Sequence, residues 1–115
     1  MDLAQRFLEF SGNILIYVKQ LPIDICLRSV IDQLIRSSTS IGANYAEAQA
    51  AESRADFLHK VRISLKEAYE THYWLCVLRQ SKIIMVNSDF EKLLQEAYEL
   101  KLILSRVVSN TQRNS

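Results

Sequence analysis

QLIRSSTSIGANYAEAQAAESRADFLHKVRISLKEAYETHYWLCVL, Gln33 to Leu78, holds two long helical patterns facing each other across a short break near Ala50 to Arg54. Its first half carries RSSTSIGANYAEA (Arg36 to Ala48), dense in small residues that let another helix approach closely. Gly42 there costs about 1 kcal/mol relative to Ala, and Ser37, Ser38, Thr39 and Ser40 are indifferent helix formers, so packing against neighbours must hold this part helical. Leu27, Ile31, Leu34, Ser38, Ile41 and Tyr45 share one side of the pattern. Arg36, Ser40, Asn44 and Glu47 form a second stripe, which helical periodicity places roughly opposite the apolar one. That stripe reads either as a solvated face or as a polar contact site or subunit interface. The second reading draws on its short side chains, where exposed helix surface usually carries Lys and Glu.

The second half opens with Ser53 and, three residues later, Asp56, an imperfect capping box that starts a new helix. Phe57, Leu58, Val61, Leu65, Ala68, His72, Leu75 and Cys76 make a core seam along it. The opposite face holds Ile63, Glu67, Glu70, Trp74, Val77 and Leu78. One bundle buries one such face fully, so the second apolar surface predicts a homo-oligomer whose interface includes Ile63, Trp74, Val77 and Leu78.

Upstream, Leu3, Phe7, Phe10, Ile14, Tyr17 and Leu21 recur at alternating spacings of four and three, the seam of a first helix. Pro22 disfavours helical geometry at Leu21, and Asp24 offers an N-cap oxygen, so the chain turns and restarts antiparallel. Downstream, Asn87, Ser88 and Asp89 supply turn and capping chemistry after the apolar run Ile83 to Val86, which would lid the bundle end. Phe90, Leu93, Ala97, Leu100, Leu104 and Val107 mark a fourth helix, and the polar tail from Ser109 reads as frayed. The expectation is an all-α fold, an antiparallel up-down four-helix bundle with helices at about 3–20, 25–49, 54–80 and 89–108.

At 115 residues and 13.3 kDa the chain has room for one domain, residues 1–115. Two glycines and one proline leave little scope for the turns of a sheet protein. Cys26 and Cys76 lie far apart and outside any metal or redox motif, so both are expected as buried small hydrophobes. MDLAQRFLEF has acids at Asp2 and Glu9 and no continuous apolar run, which argues against a secretory signal or a membrane span and for a reduced, cytoplasmic setting.

RSSTSIGANYAEA, followed by ADF at Ala55 to Phe57 and by LKEAYETHYWL (Leu65 to Leu75), resembles the four-helix bundle family of 23S rRNA-intervening-sequence proteins. The likeness is specific over Gln33 to Leu78. Arg36, Ser40, Ile41, Asn44 and Glu47 fall on the family's helix-two motif, and Phe57, Glu67, Glu70 and Leu75 on its helix-three motif. Many members carry Gly where this chain has Ala48, a departure expected to lengthen the second helix. The resemblance implies a ring-like homopentamer, but the family name records a gene location and not an activity. A distant relative, the accessory variability determinant of diversity-generating retroelements, is a basic pentamer that binds nucleic acid and a reverse transcriptase.

Net charge is only +1, yet it is unevenly placed: residues 1–53 carry −2, residues 54–82 carry +3, and the remainder is neutral. Arg54, Lys60, Arg62 and Lys66 cluster near the start of the third helix and are the candidate RNA or DNA contacts, a modest patch that repetition around a ring would multiply. A solvated helix surface is the competing reading. Enzymatic motifs are absent, and Glu67 and Glu70, though spaced as in di-iron bundles, lack the partner His that such sites need. The expectation is a non-enzymatic, oligomeric accessory or scaffold protein that associates with nucleic acid, without cofactor or metal. The alternative is an adaptor for another protein. One contact is also expected. The helices either side of the break should be antiparallel, and Arg36 and Ala68 lie equally far from it, so Arg36 should meet Glu67 or Glu70.

Overall fold

Four side-chain caps set the helix starts in the computed structural model, which describes residues 1–22 and 24–114. Asp2 accepts the Gln5 amide at 2.8 Å to open α1 (Leu3–Lys19), and Asp24 accepts the amides of Cys26 and Leu27 to open α2 (Ile25–Gln49). Ser53 accepts the Asp56 amide at 3.0 Å to open α3 (Arg54–Ser81), and Asn87 the Phe90 amide at 2.9 Å to open α4 (Ser88–Arg113). Each cap satisfies an amide that the first helical turn leaves free, typically worth about 1 kcal/mol. Ile23 and Ser115 lie outside the described residues.

The helices alternate in direction and pack in sequence, α1 on α2, α2 on α3 and α3 on α4. The α2–α3 interface is the most extensive and the α1–α4 closure the sparsest. The molecule measures 46 × 23 × 19 Å, and α3, about 42 Å long at 1.5 Å per residue, nearly spans its length. Phe7 and Ile14, Leu34 and Ile41, Val61, Leu75 and Leu78, and Phe90, Leu100 and Leu104 form one continuous core. Burying a side chain of this size contributes about 1.5–3 kcal/mol.

Small residues do what their helix propensity cannot. A Cβ added at Gly42 would lie 3.2 Å from the Phe7 Cβ, tighter than ordinary contact, so a larger residue there would push α1 back by a few tenths of an ångström. Across the α2–α3 seam, Ser37, Ser38, Ser64 and Thr71 are fully buried. Ser64 donates to the Ile41 carbonyl of α2 at 2.7 Å. The Ser37 and Thr71 hydroxyls lie 2.9 Å apart, and Thr71 Oγ1 is 2.8 Å from the Glu67 carbonyl. Each hydroxyl has one proton, so Thr71 donates either to Ser37, whose own proton then goes to the Leu34 carbonyl at 3.3 Å, or to the Glu67 carbonyl, with Ser37 donating to Thr71.

Several expectations need correction. Leu78 is wholly buried in the core and is therefore removed from the expected subunit interface, because α3 packs against α2 on one flank and α4 on the other and its buried arc is wide. α4 runs to Arg113 instead of stopping near 108, since Val107 and Val108 still pack on the core and Thr111 donates to the Val107 carbonyl. Cys26 is exposed in the first turn of α2, and Cys76 is half-buried. In the run Ile83 to Val86 only Ile84 enters the core.

Candidate functional site

The polar stripe of α2 lies on the flank facing α3, not on the free face, and α3 answers it with charge. Arg36 donates to Glu67 Oε2 at 3.0 Å and to Glu70, while Glu47 pairs with Lys60 at 3.8 Å. Trp74 adds its indole N–H, 2.9 Å from the same Glu70 oxygen that Arg36 holds. These bonds, the one from Trp74 first and that from Arg36 second, hold the Glu70 carboxyl below its usual pKa. Ser40 and Asn44 turn onto their own helix, donating to the carbonyls of Arg36 and Ser40. The arrangement is a clamp: it fixes α2 against α3 through both carboxylates.

A second consequence appears on the outer side of α3. With Glu67 and Glu70 drawn toward α2, Arg62 and Lys66 stand exposed, and among the described residues neither has a carboxylate within 4.0 Å. Arg54 is also exposed, about 12 Å from Arg62 along the axis at 1.5 Å per residue. Lys60 leaves this group, because it faces α2 and pairs with Glu47. The structure thus brings together two of the four candidate basic residues, with Arg54 at one end of their stripe. Of the expected interface residues, Ile63, Trp74 and Val77 are half-buried.

Sequence reasoning missed the aromatic residues on this face. Arg62, Lys66, Tyr69 and Tyr73 follow at spacings of four, three and four, hence on one side of the helix, and both tyrosines are more than half exposed. From α4, Lys101 places its ammonium 4.9 Å from the Tyr69 ring centre and 5.1 Å from that of Tyr98. His72 lies under this layer with its ring 5.9 Å from Tyr98. Burial, then the positive charges of Lys101 and Arg79, lower its pKa.

Around the other flank of α4, a groove of about 680 Å³ separates it from α1, with Phe10, Ile16, Tyr17 and Leu93 among its walls. Arg6 bridges it to Glu96 at 2.7 Å. The Tyr17 hydroxyl is buried without a partner, and burial, followed by the charge of Asp89, raises its pKa.

Among the described residues no group of three or more His, Cys, Asp or Glu side chains is placed to hold a metal ion, and no helix is long and apolar enough to cross a membrane. No curated protein matches the chain. The fold is similar to the crystal structure, at 1.70 Å, of a protein of unknown function from the S23 ribosomal protein family of Bacteroides thetaiotaomicron. The two are 34% identical, the match covers 93% of this chain and 98% of the other, and the TM-score is 0.80. The family model described as 23S rRNA-intervening sequence protein matches residues 1–106, and it takes in both halves of the Arg36–Glu67–Glu70 clamp. The chain belongs to the 23S rRNA-intervening sequence protein family.

Proposed function

We propose that the protein is a non-enzymatic accessory or scaffold protein that associates with nucleic acid through the outer face of α3. The observation that carries this reading is the exposed pair Arg62 and Lys66, left without acid partners because Arg36 holds Glu67 and Glu70 on the other flank. Phosphate binding needs cations that are not already neutralised, and these two meet that condition while Lys60 does not. Lys101 and Arg79 add positive charge around His72, a cause second to burial in lowering its pKa.

In this reading the protomer self-associates as the homopentamer that the family resemblance implies, and a ring repeats a modest patch into a continuous band. Apolar surface for assembly remains after Leu78 is removed: Ile63, Trp74 and Val77 on α3, together with the exposed Leu8, Leu15 and Ile16 of α1. A cytoplasmic setting fits a nucleic-acid partner and two free thiols.

Mobility-shift titration of RNA and DNA tests the proposal. Arg62→Glu with Lys66→Glu should weaken binding across all sequences alike, because phosphate contacts carry no sequence information. Unchanged affinity would remove the α3 face from consideration. Light scattering tests the assembly, and a stable monomer at micromolar concentration would contradict it.

A further inference from the structure

Resting on the reading above, we infer that the outer face of α3 and α4 binds single-stranded nucleic acid, with Tyr69 and Tyr73 as a stacking platform for unpaired bases and Arg62, Lys66 and Lys101 as the phosphate contacts.

Tyr69 is 54% and Tyr73 61% exposed. Each ring has a neighbour: Lys101 lies over Tyr69, and the Tyr73 ring meets Trp74 edge-on at 5.4 Å, while Trp74 is itself tied to Glu70. Exposed rings of this kind offer flat surfaces to a ligand. Bases stack on such rings without regard to sequence, since every base has a π-face, but only when they are unpaired. Duplex bases are stacked on one another and present only their edges in the grooves, so they have no free face for a phenol ring to meet.

Length and charge agree with this. Arg62 to Tyr73 covers eleven residues, about 17 Å at 1.5 Å per residue, or roughly five nucleotides at the stacked rise of 3.4 Å. Cations lie at one end and along one edge, so a strand can run with its phosphates on Arg62, Lys66 and Lys101 and its bases over the rings. Protein contact surfaces are also rich in tyrosine, but they are depleted in lysine, and this face sets two lysines beside its tyrosines. Lys101 has a double part: it covers Tyr69 and Tyr98 in the free protein, and a base arriving on Tyr69 must displace it toward the incoming phosphate.

The test is fluorescence anisotropy with a labelled 12-nucleotide oligouridine and a blunt duplex of equal length, at one salt concentration. The unaltered protein should bind the single strand at least tenfold more tightly. Tyr69→Leu and Tyr73→Leu should each weaken that binding about tenfold, whereas Tyr69→Phe and Tyr73→Phe, which keep the rings, should stay within about threefold of the unaltered protein. The His72 ring protons give a second readout: bound phosphate should offset the field of Lys101 and move the His72 titration upward in pH. Equal affinity for strand and duplex, or leucine variants that bind as tightly as the unaltered protein, would overturn the platform and leave the phosphate-binding reading standing. Binding of neither probe would overturn both. Leucine variants that change the oligomeric state but not the affinity would make this face a protein contact and overturn the inference. The strand preference is read on the unaltered protein, so a leucine variant that failed to fold would not rescue the claim.

Discussion

Replacing Arg36 by Met removes the cation from the α2–α3 clamp and leaves Glu67 and Glu70 facing each other one helical turn apart. A fully buried pair broken in this way costs about 3–5 kcal/mol, and an exposed one at most about 1. The clamp lies between these limits. Arg36 is 46% exposed on its side chain and Glu70 33%, so water screens much of the interaction, but Glu67 is only 17% exposed. Glu70 also keeps its bond from Trp74. We therefore expect a loss of about 1–2 kcal/mol, or roughly 4–10 °C in melting temperature for a domain of this size. The double variant Arg36→Met with Glu70→Gln should recover part of it, because one unpaired charge is gone. Urea denaturation at pH 7 and again near pH 3 gives the check. The folded Glu70 pKa is lowered, so its contribution is present above about 4.5 and is lost as pH falls through the lowered value. The gap between the original protein and Arg36→Met should shrink accordingly. Equal stability at pH 7, or an undiminished gap near pH 3, would refute the clamp.

Other expectations follow from single contacts. Gly12→Ala should stabilise by about 1 kcal/mol, since helix propensity improves and an added Cβ meets nothing within 4 Å. Gly42→Ala should instead destabilise by about 1 kcal/mol, because overpacking against the Phe7 Cβ outweighs the same propensity gain, and thermal melts of the two variants should move in opposite directions. Thr71→Val removes the hydroxyl that pairs with Ser37 and should cost about 1–2 kcal/mol, with the Ser37→Ala, Thr71→Val pair less destabilised than the sum of the singles in urea titrations. His72 has a lowered pKa, so its contribution to stability is complete above about 6.5 and lost as pH drops through the folded value. His72→Gln should flatten the stability profile over that window, measured by urea midpoints between pH 5 and 7.5.

The helix order was legible because its signals are local. Pro22 with Asp24, Ser53 and the run Asn87 to Asp89 each mark a start within a few residues; Asp24 and Ser53 make the expected caps, and Asn87 caps α4 one residue earlier than a start at 89 implies. The Arg36 contact was legible too, because antiparallel neighbours joined by a short break have a register that can be counted. What needed the fold was the width of each buried arc. α3 touches two helices, so Leu78, which periodicity assigned to an outer face, is enclosed, and Ser64 and Thr71 are enclosed despite their polarity because each hydroxyl finds a backbone carbonyl. The basic cluster divided for a similar reason: Lys60 and Arg62 are two residues apart and therefore lie on different sides of the helix. Arg62, Lys66, Tyr69 and Tyr73 did carry a signal, the same alternation of four and three that marks a core seam, but on charged and phenolic residues. Lys101 could not be added from sequence, since its place over Tyr69 depends on the α3–α4 register.

The most direct measurement is the salt dependence of single-strand affinity, taken as the slope of log K against log salt concentration. Contacts from Arg62, Lys66 and Lys101 to three phosphates predict a slope of about −2 per protomer engaged, at about −0.7 per phosphate for a single strand. Arg62→Gln with Lys66→Gln should bring it to about −0.7. A slope near zero for the unaltered protein, or one that the double variant leaves unchanged, would contradict nucleic-acid binding on this face.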